Sequence, residues 1–181
     1  MIISVEELRR YVSTDEEDQA LEARLQALEL LIRRYTNNNF QARGFSCEAD
    51  VSGGTFMSAT FTPFEVGDTV QVSGSEKNNG LYTIRAVTDT TFTVDRKTYD
   101  DIDVFVTKVE YPADIKMGIV NLVKWEVTNR DKVGVQSESI SRHSVTYYNM
   151  DGDNSIMGYP KSLMGFLRPY MKARFGRGIG V

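Results

Sequence analysis

A chain of 181 residues has room for one domain, or for one domain carrying a small insert. Hydrophobic residues make up 41% of it and charged residues 25%, which supports a real core and excludes wholesale disorder. The net charge of −4 argues against a chain built as a whole to bind polyanions.

The first element opens at Ser4-Val5-Glu6-Glu7, a capping-box pattern in which Ser4 accepts from an amide three residues on. Leu8, Tyr11 and Val12 share one face, so residues 5–12 read as a short helix. Ser13-Thr14-Asp15 interrupts it and offers new N-caps, followed by Glu16, Glu17 and Asp18 where a helix dipole favours negative charge. Leu21, Leu25, Leu28, Ile32 and Tyr35 then recur at helical spacing, widened by Leu31, and the helix ends in Asn37-Asn38-Asn39.

From Phe45 to Val109 the period changes to two. The expected strands are Thr55–Phe61, Thr69–Ser73, Leu81–Val87, Thr91–Val94 and Asp103–Thr107, with Asn79-Gly80 as a hairpin signal. The pattern Gly67-Asp68-Thr69-Val70 followed by Asn79-Gly80-Leu81-Tyr82 resembles small SH3-like or OB-like barrels. Such barrels often bind nucleic acid, and Phe56, Phe61, Phe64, Tyr82 and Phe92 would serve either as a stacking platform or as core. Charge opposes the first role: eleven acidic residues stand against five basic ones between Glu48 and Glu110.

Helical spacing resumes after Pro112, with Ile115, Ile119, Leu122 and Val123 on one face and Trp125 as a core or rim anchor. Gly118 lowers helix propensity there, which points to close packing against the long first helix. Val135–Ile140 and Ser144–Tyr148 read as a hairpin that buries Ile140, Val145 and Tyr147. Pro160 opens a last helix with Leu163, Phe166, Leu167 and Tyr170 on one side, which Pro169 ends or kinks. The expected fold is therefore α+β: a small helical bundle with a C-terminal hairpin and helix, formed by 1–44 and 110–181, interrupted by an inserted all-β barrel or sandwich at 45–109.

Equipment for catalysis or metal binding is not evident. His143 is the one histidine and falls in the hairpin turn, while Cys47 has no partner thiol, so no internal disulfide is expected. Asp151-Gly152-Asp153-Asn154-Ser155 starts like a calcium loop but has Ile156 and Ser162 where glycine and glutamate are required. Asp100, Asp101 and Asp103 cluster without a nucleophile or second ligand type nearby. The reading is a non-enzyme with no cofactor and no metal. No basic-then-apolar leader or apolar run of bilayer length is seen, so a cytoplasmic origin without membrane contact is expected.

The helical frame resembles the head–tail connector (adaptor) proteins of long-tailed bacteriophages and related prophages. The residues that carry the resemblance are Ser4-Val5-Glu6-Glu7-Leu8, Arg34-Tyr35-Thr36-Asn37, Pro112-Ala113-Asp114-Ile115-Lys116, Trp125 and Asn129-Arg130-Asp131. To these are added Ser137–Ile140, Ser144–Tyr147, Tyr159-Pro160, Pro169-Tyr170 and Lys172-Ala173-Arg174-Phe175-Gly176. The resemblance implies a virion protein of the neck whose copies form a ring on the portal protein. The ring would extend the DNA channel and meet the next neck, stopper or tail-completion protein, and double-stranded DNA would pass through without sequence-specific binding. It also implies a portal interface drawn from Tyr159, Pro160, Leu163, Phe166, Leu167, Arg168, Tyr170, Lys172, Arg174 and Phe175.

Charge is compatible with ring contacts. Residues 1–22 hold seven acidic side chains against Arg9 and Arg10, whereas residues 161–181 hold five basic side chains and no acidic one. The alternative function is nucleic-acid binding by the inserted barrel.

Overall fold

A computed structural model of the chain describes residues 1–129, 137–140, 143–146 and 153–173. The chain divides into two compact units, one holding Met1 with 39–111 and the other 2–38 with 112–181.

The first unit is a closed antiparallel barrel. Its strands are β1 (Gln41–Ser52), β2 (Thr55–Ser58), β3 (Thr69–Ser73), β4 (Gly80–Val87), β5 (Thr91–Val94) and β6 (Asp101–Val109), in the order β1-β2-β5-β4-β3-β6. Pairing of β6 back onto β1, from Gln41 opposite Val109 to Val51 opposite Asp101, closes it. Closing so few strands demands strong curvature, and register shifts in β1 and in β4 between Ile84 and Ala86 supply it.

Alternation sends Cys47, Ala49 and Val51 of β1 inward, to meet Phe56, Val70, Val72, Ile84, Phe92, Val104 and Val106. Phe56 and Phe92 stack with centroids 4.7 Å apart, and Phe64 meets Phe92 edge-on at 5.3 Å. Of the five aromatic residues read as core or platform, Phe56, Phe64, Phe92 and Tyr82 are buried, while Phe61 is 68% exposed.

The second unit begins with α1 (Val5–Arg9), where the Glu7 amide donates to Ser4 Oγ at 3.1 Å. Helix α2 (Asp18–Thr36) buries Leu21, Leu25, Leu28 and Ile32, and Asn37 ends it in the left-handed conformation at φ 50°. Ser13, Thr14 and Asp15 do not cap it, since Glu17 is the residue before its first turn. Helix α3 (Ala113–Asn129) buries Ile115, Ile119, Leu122 and Val123. Strands β7 (Ser137–Ile140) and β8 (His143–Thr146) pair antiparallel, so His143 belongs to a strand, opposite Ile140. Two short strands follow, β9 (Ser155–Ile156) and β10 (Tyr159–Pro160), and then a 3-10 helix over Lys161–Tyr170. The side chains of Ile140, Val145 and Tyr147, and Asp151 at the start of the calcium-like loop, lie outside the described residues.

The expected fold class is corrected by this arrangement. Instead of a helical bundle interrupted by a small insert, the closed six-stranded barrel is the largest body of regular structure, accompanied by a few helices. Two reasons are visible. The last apolar segment forms 3-10 turns rather than an α-helix, and α1 stops after five residues, so only α2 and α3 are long. Meanwhile β1, at twelve residues the longest strand, extends the sheet far enough to close.

Candidate functional site

The 3-10 helix changes which side chains of the expected interface are available. An α-helix would align Leu163, Phe166, Leu167 and Tyr170, but a three-residue repeat aligns Met164, Leu167 and Tyr170 instead. Met164 and Leu167 are accordingly buried, at 2% and 0% exposure. Tyr159 and Pro160 are buried, Leu163, Phe166 and Tyr170 are half-buried, and Arg168 and Lys172 are exposed. Arg174 and Phe175 lie outside the described residues.

Phe166 packs against Gly118, where an added Cβ would fall within the phenylalanine ring. The glycine in α3 thus admits the 3-10 helix rather than α2, correcting the partner expected from sequence. This close approach offsets the propensity that Gly118 sacrifices.

A polar cluster fixes the other end of the segment. Tyr159 donates its hydroxyl to Glu126 Oε1, and Arg24 Nη1 donates to Glu126 Oε2 at 2.6 Å. The same guanidinium reaches Glu16 at 2.7 and 2.9 Å. Burial alone would lower the Arg24 pKa, but the hydrogen bonds and charges of Glu126 and Glu16 outweigh it and raise the value. The Glu126 side chain is almost wholly buried, so these bonds replace the water it lost. An open cavity of about 550 Å³ beside it is lined by Ser13, Thr14 and Asp15 together with the already paired Glu16, Arg24 and Glu126. Trp125 adds an edge-on contact to Tyr159 at 5.7 Å.

At its far end the segment is stitched to the end of α2. The Lys172 amide donates to the Thr36 carbonyl at 2.8 Å, Asn37 Nδ2 to Ala173 O at 2.9 Å, and Asn38 Nδ2 to Tyr170 O at 3.2 Å. The Tyr170 hydroxyl donates to Asp114 at 2.8 Å, and that bond raises the phenol's pKa. Main-chain and short amide contacts thus hold the strap, leaving the Lys161, Arg168 and Lys172 side chains exposed.

Sequence reasoning missed Arg24, Glu16 and Glu126, because nothing in one helix's periodicity says that its charged residue faces a carboxylate a hundred positions away. It also missed Met164, which a helical repeat of 3.6 places off the buried face. The carboxylates at 100–103 have structural work: Asp100 accepts from the Gly53 amide at 2.9 Å, and Asp101 accepts from the Ser75 hydroxyl at 2.5 Å. Asp103, at φ 54°, donates its amide to Asp50 at 3.0 Å. Cys47 is buried in the barrel, and burial pushes its thiol pKa up. Among the described residues no three His, Cys, Asp or Glu side chains group as metal ligands, and no helix is long and apolar enough to cross a membrane. No protein-family model matches the chain, and no curated protein matches its sequence.

Proposed function

We propose that this chain is a structural subunit of a phage neck. Copies form a ring on the portal protein, extend the DNA channel and present a surface to the next neck or tail-completion protein. The observation that carries the reading is that stretches supporting the connector resemblance meet one another. Thr36 and Asn37 bond to Lys172 and Ala173, Asp114 bonds to Tyr170, and Trp125 packs on Tyr159. Residues far apart in sequence that converge on one strap fit a single inherited device better than a set of chance matches.

Under this reading Tyr159, Met164 and Leu167 seat the strap, and its exposed cations make first contact with the portal. Three exposed basic side chains on a strap without a carboxylate supply steering and orientation toward an acidic partner. DNA sliding through the ring requires weak phosphate contact, which an acidic chain provides.

The test is charge reversal by Arg168→Glu with Lys172→Glu, tried on purified DNA-filled heads that carry portal. The double variant should melt like the parent protein and fail to join the heads. Undiminished joining would remove the docking assignment.

A further inference from the structure

The barrel is acidic overall, which makes its one concentration of positive charge informative. Only five basic residues occur between Glu48 and Glu110, and three of them, Lys77, Arg96 and Lys97, line a single open cavity of about 530 Å³. Asp100 is the one carboxylate in that lining, and the Gly53 amide already donates to it.

Two of the three cations lie against aromatic rings. The Arg96 guanidinium lies 4.8 Å from the centre of the Tyr82 ring, and the Lys97 ammonium 5.5 Å from that of Tyr99. Arg96 meets Asp95 only at 4.0 Å, too far for a hydrogen bond, so the planar fork of its guanidinium stays open to an oxyanion.

A second, separate observation concerns Thr98, which also lines this cavity. It is 8% exposed, and its hydroxyl oxygen is buried without a hydrogen bond among the described residues. Sealed from solvent, that oxygen stands behind the cavity wall, and the exposed side chains of Lys77, Arg96 and Lys97 are the groups a ligand can reach. The loop carrying it is held in place. Buried Asn78 donates to the Tyr99 carbonyl and accepts from the Tyr99 amide, both at 2.8 Å. A fixed loop loses little entropy when it binds.

We propose that this cavity is a phosphate site, in which Arg96, Lys97 and Lys77 neutralise the oxyanion. The phosphate comes either as the free ion or as a phosphodiester of a nucleic-acid strand. Three cations suit a multiply charged tetrahedral anion better than a singly charged carboxylate. The proposal is independent of the portal reading and does not fall with it.

The test uses the full-length chain, labelled with nitrogen-15 and titrated at constant ionic strength with inorganic phosphate and, in parallel, with a short oligothymidylate. Saturable shifts at the amides of Gly53, Gly54, Thr98 and Tyr99 are expected. Arg96→Gln should weaken binding roughly tenfold, and Lys97→Gln, at an exposed position, should weaken it without lowering the melting temperature. Tighter binding of the oligonucleotide identifies a strand as the source, and equal binding identifies phosphate alone. Arg85→Gln, an exposed cation elsewhere on the barrel, should change nothing. Shifts that never saturate, that survive Arg96→Gln, or that weaken equally in Arg85→Gln would overturn the site.

Discussion

The two units of this chain are held together by different physics. In the barrel, every strand is bonded on both sides and the interior is apolar, centred on stacked Phe56 and Phe92. In the helical unit, the 3-10 segment is fixed by a charge cluster around the buried Glu126 at one end and by amide stitches at the other. Apolar burial tolerates most repacking of similar volume, whereas a buried carboxylate depends on the partners that satisfy it. The difference separates a unit suited to be a stable platform from one whose surface strap depends on a few exact side chains.

The comparison can be broken in stages. Phe56→Ala removes a ring with no exposure from the barrel and should cost about 3–5 kcal/mol. Calorimetry should place this loss in the barrel transition. Glu126→Ala should cost about 1–3 kcal/mol, because it removes the acceptor of the Tyr159 hydroxyl while Arg24 keeps only Glu16, and hydrogen exchange should rise in α2 and α3 while the barrel amides keep their protection. Equal weakening of both units by both variants would erase the contrast between them.

Gly118→Ala should cost about 1–3 kcal/mol by crowding Phe166, despite its gain in helix propensity. Combined with Phe166→Ala it should cost less than the two single changes added together, because the offending ring is gone. Strict additivity in urea melts would show that the glycine is there for another reason.

The smallest effect expected is pH-dependent. The Ser75 hydroxyl bond holds the Asp101 carboxyl below its ordinary range. Its stabilisation is therefore present above the unfolded carboxylate value and lost as pH falls through the lower folded one. Ser75→Ala should destabilise the barrel at neutral pH, with the difference closing in acid below about pH 4. A pH-independent difference would assign the effect to the loop bonds that Asn78 and Lys77 make to the same hydroxyl.

Local signals survived where one element's own chemistry decides its structure. The Leu21-to-Ile32 stripe is buried, Ser4 caps α1, and Asn37 takes the left-handed turn. Signals failed where partners decide. Strand β1 is illegible in the sequence because Arg43-Gly44 and a register shift before Ser46 obscure the alternation that begins at Cys47. Asn79-Gly80 does mark the β3–β4 hairpin, but Gly80 pairs with Val72 and the loop before it is built around Ser75. At the strap, the apolar residues were legible and their orientation was not, because the same letters fit a repeat of 3.6 or of three. Pro169 and Gly165 weaken the α-helical alternative without naming the 3-10 one.

Closure of the barrel has a consequence for a protein proposed to stand beside copies of itself. An open sheet offers a row of unpaired amides and carbonyls to any neighbouring chain, and crowding subunits into a ring raises the chance of strand exchange. With β1 and β6 bonded to each other, that invitation is withdrawn. Neighbouring barrels then have no strand edge to share, so contact between barrels in such a ring is left to surface chemistry.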